Sequence, residues 1–125
     1  MGQSKPLLDR SILIVEDEAL IRFELMDFFE DAGFRVFDAA DADEAIPILE
    51  RERAIRVVLT DVQMPGSLDG LKLAHYVRDR FPPTALIVTS GMLYLGQDDL
   101  PTDSLFVPKP INPRRVLSQI EQMMV

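Results

Sequence analysis

The chain contains no cysteine, and this one absence removes disulfides, thiolate metal sites and thiol catalysis together. No apolar run approaches the roughly 18 residues that a membrane span requires. The start, Met1-Gly2-Gln3-Ser4-Lys5-Pro6, lacks the apolar stretch of a secretory signal, and Pro6 stands where a myristoylation motif needs Ser or Thr. A cytoplasmic protein is therefore expected. Basic residues are few: 13 Lys and Arg stand against 21 Asp and Glu, a formal net charge of −8. That balance argues against a nucleic-acid surface, because phosphate backbones select basic patches. The single histidine, His75, lies on a polar stretch with no partner ligand near it in sequence and reads as an exposed residue. There is no internal repeat, low-complexity tract or linker. The 125 residues are expected to form one domain, 1–125, able to bury roughly two-thirds of its unfolded surface without a covalent staple.

Present instead are four short apolar runs, each ending on chemically loaded residues. Ile12-Leu13-Ile14-Val15 meets Glu16-Asp17-Glu18, Val57-Val58-Leu59-Thr60 meets Asp61, Leu86-Ile87-Val88-Thr89 meets Ser90-Gly91, and Leu105-Phe106-Val107 meets Pro108-Lys109-Pro110. Strand and helix signals alternate between them. Ala19 to Ala32 places Ile21, Leu25, Phe28, Phe29 and Ala32 at helical spacing, and Gly33 supplies a left-handed cap. Phe34 to Ala39 alternates partly, as an outer strand does. Asp41 to Glu52 predicts a second helix, weakened by Pro47 unless that residue lies near the first turn. Arg56 to Asp61 and Ala85 to Ser90 show no alternation, as expected of strands covered on both faces. Asp69 can cap a third helix that runs to about Arg80 and stops at Pro82-Pro83. Asn112-Pro113 is an N-cap and first-turn pair opening a last helix with Val116, Leu117, Ile120 and Met124 on one face. Gly91 to Ser104 should hold a fourth helix, but Gly96, Pro101 and small polar residues predict mostly loop around a short or irregular one. The whole is an α/β chain with a doubly wound parallel sheet and helices on both faces.

In such a sheet the carboxyl ends of the strands share one edge, where ligands bind. Glu16, Asp17 and Asp61 then face a single ammonium, Lys109. Carboxylates this close do not all ionise without a counter-charge. A divalent cation supplies it, and an all-oxygen site favours Mg²⁺ or Mn²⁺ over zinc. A cation held on carboxylates beside an ammonium and a hydroxyl is the equipment of phosphoryl transfer, and one carboxylate can serve as nucleophile.

The segments Ile12-Leu-Ile-Val-Glu-Asp-Glu18, Leu59-Thr-Asp-Val-Gln-Met-Pro-Gly66, Leu68-Asp-Gly-Leu71, Val88-Thr-Ser-Gly91 and Val107-Pro-Lys-Pro110 occur in that order on those elements. In this the chain resembles the receiver domain of two-component response regulators over essentially its whole length. The resemblance implies a flavodoxin-like five-stranded sheet of order 2-1-3-4-5. It implies that Asp61 is the phospho-acceptor, taking its phosphoryl group from a phosphohistidine on a sensor histidine kinase or phosphotransfer protein. It implies Mg²⁺ held by Asp17, Asp61 and the Gln63 backbone carbonyl, with Glu16 acting through a water. Lys109 is then the group that holds a phosphoryl oxygen. Thr89 and Ser90 are both candidates for the switch hydroxyl; receivers place it just before a small residue, which favours Ser90 ahead of Gly91. Phe106 matches the aromatic position that rotates between states, although by strand pattern alone it reads as packing. Lys109–Pro110 is a candidate cis peptide. The resemblance further implies phosphorylation-dependent dimerisation and an unidentified downstream protein partner, and no metabolic activity beyond the domain's own phosphorylation and slow dephosphorylation.

Singly, these residues have plainer readings. Glu16-Asp17-Glu18 suits a solvated loop that favours the next helix N-terminus, Asp61 a cap, Lys109 a surface position, and Met64 and Met123-Met124 core or a frayed end. Their joint placement carries the argument. Two other functions remain open at this point: a receiver fold docking partners independently of phosphorylation, and a small Mg²⁺-dependent phosphatase with an aspartyl nucleophile. The second expects Asp-x-Asp at the end of the first strand, where this chain has Glu16-Asp17-Glu18.

Overall fold

The apolar runs become the centre of a sheet. The computed structural model describes residues 10–62, 70–91 and 100–124. Its strands are β1 (Ser11–Val15), β2 (Arg35–Ala39), β3 (Val57–Asp61), β4 (Ala85–Ser90) and β5 (Ser104–Pro108). Its helices are α1 (Ala19–Asp31), α2 (Ala42–Arg51), α3 (Gly70–Arg80) and α4 (Pro113–Met123). All strands pair parallel in the order β2-β1-β3-β4-β5, the flavodoxin-like arrangement. Every residue of β1 and β3 is buried, which is why neither strand alternates in sequence.

Strand parity divides the core. Leu13, Val15, Val58, Leu86 and Val88 pack against Ala42, Ala45 and Leu49 of α2 and Leu73, Ala74 and Val77 of α3. Ile12, Ile14, Val57, Leu59, Ile87 and Val107 pack on the other face against Leu25 and Phe29 of α1 and Val116 and Ile120 of α4. Each large side chain so buried contributes about 1.5–3 kcal/mol.

Caps fix where the helices end. After α1 the Phe34 amide donates to the Phe29 carbonyl (2.9 Å) and the Gly33 amide to Glu30 (3.0 Å), a Schellman closure. It needs a left-handed residue, and Gly33 has φ 92°. Phe34 packs edge-on to Phe29, with ring centroids 5.4 Å apart. The Asn112 side chain accepts from the amides of Arg114 and Arg115, with Pro113 opening α4.

Pro47 lies inside α2, well past its first turn, and the helix continues through it. An interior proline costs about 3 kcal/mol. The Asp41 carboxylate, accepting from the Glu44 amide at 2.9 Å, and the burial of Ala45 and Leu49 offset that cost. The Lys109–Pro110 bond is cis. The expected Asp69 cap and most of the expected fourth helix lie outside the described residues, as do Gln63 and Met64. No described helix is long and apolar enough to cross a membrane.

Candidate functional site

The sheet delivers its loaded residues to one edge through register. Val15 of β1 pairs with Thr60 of β3, so Glu16 and Asp61, each one residue further on, leave the sheet side by side. The ladder extends past the strands: the Val62 amide donates to Thr89 and the Lys109 amide to Ser90, both at 2.9 Å. Asp61 and Lys109 therefore sit on backbone pinned to β4. Gly70 holds β3 from another side, its amide donating to the Val62 carbonyl at 3.0 Å. A Cβ on Gly70 would lie 1.7 Å from the Asp61 carbonyl oxygen, so only glycine lets α3 begin this close to Asp61.

Carboxylate oxygens of Glu16, Asp17 and Asp61 lie within 4.8 Å of one another. Glu16 is 2% and Asp61 4% exposed, while Asp17 opens to solvent. The Lys109 ammonium donates to Asp61 Oδ2 at 2.7 Å and to Glu16 Oε1 at 3.1 Å. The second Glu16 oxygen, Oε2, accepts from the Glu18 amide at 3.0 Å, at the start of α1, where the Glu18 side chain makes no cap bond. The acidic turn thus favours the helix N-terminus and contributes to the cluster at once.

Electrostatics follow from this crowding. Burial pushes the Glu16 carboxyl above its usual 4.5, against the opposing pull of the Glu18 amide and Lys109, and Asp61 pushes the same way as burial. For Lys109, burial disfavours the ammonium, but its bonds to Asp61 and Glu16 prevail and hold its pKa above 10.5. One ammonium faces three carboxylates, and such a set of oxygen donors fits a divalent cation.

Thr89 stands opposite Asp61 in the ladder, and its hydroxyl donates to the Thr60 carbonyl at 3.5 Å. Ser90 is fully buried and two residues beyond Val88, which pairs with Phe106. Parity places Ser90 and Phe106 on the α3 side of the sheet and Thr89 on the α1 side. His75 is exposed, as expected.

Sequence reasoning passed over Arg22 and Asp38. Arg22 Nη1 donates to the Glu16 carbonyl at 2.8 Å, and Nε to Asp38 Oδ2 at 3.1 Å. Asp38 lies 16 residues away on β2, and nothing local announces the contact.

Comparison with known proteins gives the same direction throughout. The family model for the response regulator receiver domain matches residues 12–121. Aerobic respiration control protein ArcA of Escherichia coli K12 is 37% identical over 114 residues, covering 84% of this chain and 44% of that protein. Sensor kinase CckA of Brucella abortus is 30% identical over 121 residues, covering 91% of this chain and 12% of that protein. The chain thus spans less than half the length of either relative. Among solved structures, the receiver domain of the hybrid histidine kinase CckA superposes with a TM-score of 0.79 at 31% identity, covering 92% of this chain and 99% of that one. A response regulator receiver protein from Sinorhizobium medicae gives 0.84 at 27% identity, covering 92% and 94%.

Proposed function

Because the chain belongs to the response regulator receiver domain family, whose members accept a phosphoryl group in two-component signalling, we propose that Asp61 is its acceptor and that residues 1–125 act as one receiver unit. The observation that carries this is the Lys109 ammonium 2.7 Å from Asp61 Oδ2, at a strand end shared with two further carboxylates. In the transfer, a carboxylate oxygen of Asp61 attacks the phosphorus of a phosphohistidine. The phosphorus–nitrogen bond breaks, its electron pair goes to the imidazole, and an aspartyl phosphate remains. A sensor histidine kinase or a phosphotransfer protein carries such a phosphohistidine and is the proposed donor. Lys109 already touches the acceptor and holds a phosphoryl oxygen as charge develops there.

Asp17 and Asp61 would hold Mg²⁺ directly and Glu16 through a water, and the Gln63 carbonyl, which lies outside the described residues, would complete the set; Mn²⁺ suits the same oxygens. Such a cation would neutralise charge on the transferring group. Ser90 is the switch hydroxyl and Phe106 its aromatic partner, supported by their common face; Thr89, beside Asp61, is the alternative. The altered surface then binds a downstream protein. Electrospray mass spectrometry after incubation with Mg²⁺ and acetyl phosphate tests the acceptor. One phosphoryl group is expected on the wild type and none on Asp61→Asn; a gain that survives Asp61→Asn overturns the assignment. Comparing Ser90→Ala with Thr89→Ala for phosphorylation-dependent fluorescence or NMR shifts separates the two hydroxyls.

A further inference from the structure

Asp17 is the exposed carboxylate of the cluster, and the turn that carries it is held from behind. The Glu16 amide donates to the Ala39 carbonyl at 3.0 Å. The Glu16 carbonyl accepts from Arg22 Nη1 at 2.8 Å, and Arg22 is anchored through Nε on Asp38 Oδ2 at 3.1 Å. Both backbone groups of Glu16 are therefore tied to neighbouring residues at the end of β2, one directly and one through a guanidinium. That guanidinium lies over the Phe23 ring at 5.2 Å, and its side chain is 14% exposed. The carbonyl that Arg22 holds belongs to the peptide joining Glu16 to Asp17. Holding that plane restrains where the Asp17 backbone leaves the sheet.

Helix and site electrostatics both disfavour a cation at Arg22. It lies in the first turns of α1, where a cation opposes the helix dipole. It also adds positive charge beside a candidate cation site, which by Coulomb's law weakens metal binding. Asp38 offsets the charge while leaving the second donor directed at Glu16. A planar guanidinium can serve two acceptors in fixed directions; a lysine ammonium is a point charge and cannot reproduce the fork.

We propose that Arg22, neutralised by Asp38, is a positioning residue that orients the Glu16–Asp17 turn for a divalent cation. The inference rests on the reading of Glu16, Asp17 and Asp61 as a metal site. Outer groups that orient ligands typically govern metal affinity by roughly tenfold or more.

The test is Mn²⁺ titration of unphosphorylated protein, followed by the electron paramagnetic resonance of free Mn²⁺, with Tm measured alongside. Arg22→Ala is expected to weaken Mn²⁺ binding roughly tenfold, and Arg22→Lys to restore little of it although it keeps the charge. Asp38→Asn should weaken binding as well, by loosening the anchor and leaving the guanidinium uncompensated. Tighter binding in Arg22→Ala would mean that charge alone matters and overturns the proposal. A lowered Tm with unchanged affinity would reduce Arg22 to a structural residue and overturns it too. Absence of Mn²⁺ binding in the wild type would instead refute the metal site itself, which separates the two failures.

Discussion

Replacing Gly70 with alanine sets two physical effects against each other. Helix propensity alone predicts a gain, because alanine is favoured over glycine by up to about 1 kcal/mol in a helix. Packing predicts the reverse. The added Cβ would lie 1.7 Å from the Asp61 carbonyl oxygen, 2.6 Å from its carbon and 2.7 Å from the Val62 Cα. All three are backbone atoms, so no rotamer can yield. Ordinary contact begins at 3.4 Å, so the Cβ and the Asp61 carbonyl oxygen must move apart by about 1.7 Å. Overpacking a well-filled interior typically costs about 1–3 kcal/mol, and a clash of backbone with backbone belongs at the upper end. The expected net loss is about 2 kcal/mol, or a Tm lower by roughly 6–12 °C for a domain of this size. Urea unfolding measures the loss, and acetyl phosphate labelling should fall with it because the displaced residue is Asp61. Gly91 is the internal control, since a Cβ there meets nothing within 4 Å; Gly91→Ala should keep or slightly raise stability. A Gly70→Ala protein as stable as the wild type, with undiminished labelling, would refute the close approach.

The remaining predictions concern charge and hydrogen bonding. Asp17→Asn removes one of three like charges held within 4.8 Å, so stability without metal should rise, by at most about 1 kcal/mol of relieved repulsion at this exposed position; the change reads as a higher Tm that responds less to added Mg²⁺. The Tyr76 hydroxyl donates to Glu50 Oε2; that bond, with Arg80 and Arg53 nearby, holds the Glu50 pKa below 4.5. A lowered carboxylate pKa contributes stability above the ordinary value and loses it as pH falls through the folded one. Tyr76→Phe should therefore flatten the decline of Tm below pH 4.5, and an unchanged acid limb in thermal melts would count against the bond. Arg78 donates to the carbonyls of Thr102 (2.8 Å), Pro82 (2.6 Å), Thr84 (3.1 Å) and Asp103 (3.2 Å). Arg78→Lys cannot serve four directions at once and should cost about 1–2 kcal/mol in urea unfolding.

What was legible in the sequence divides along a physical line. Local signals read well: the unalternating runs of β1 and β3, Gly33 as the left-handed cap, and Asn112-Pro113 at the start of α4 are each decided by residues a few positions apart. Pro47 marks the first limit, because its cost is local while much of what offsets it, the burial of Ala45 and Leu49 against the sheet, is tertiary. The site shows the same division. Glu16, Asp17, Asp61 and Lys109 stand at the ends of apolar runs, so a parallel sheet brings them to one edge, and the strand order that the family resemblance implies sets them close together. The groups that fix the acidic turn's direction, Arg22 and Asp38, come from a helix and an outer strand whose sequences carry no comparable mark. Thr89 and Ser90 illustrate the limit within a single dipeptide. Both are small hydroxyl residues at a buried strand end; the pleat puts them on opposite faces, and only the register, with Asp61 across from Thr89 and Phe106 across from Val88, decides which face each takes. Composition and spacing therefore announce which chemical groups converge. Their aim is set by contacts between elements distant in sequence, and on a charged site aim decides whether three carboxylates form a cation site or only a mutual repulsion.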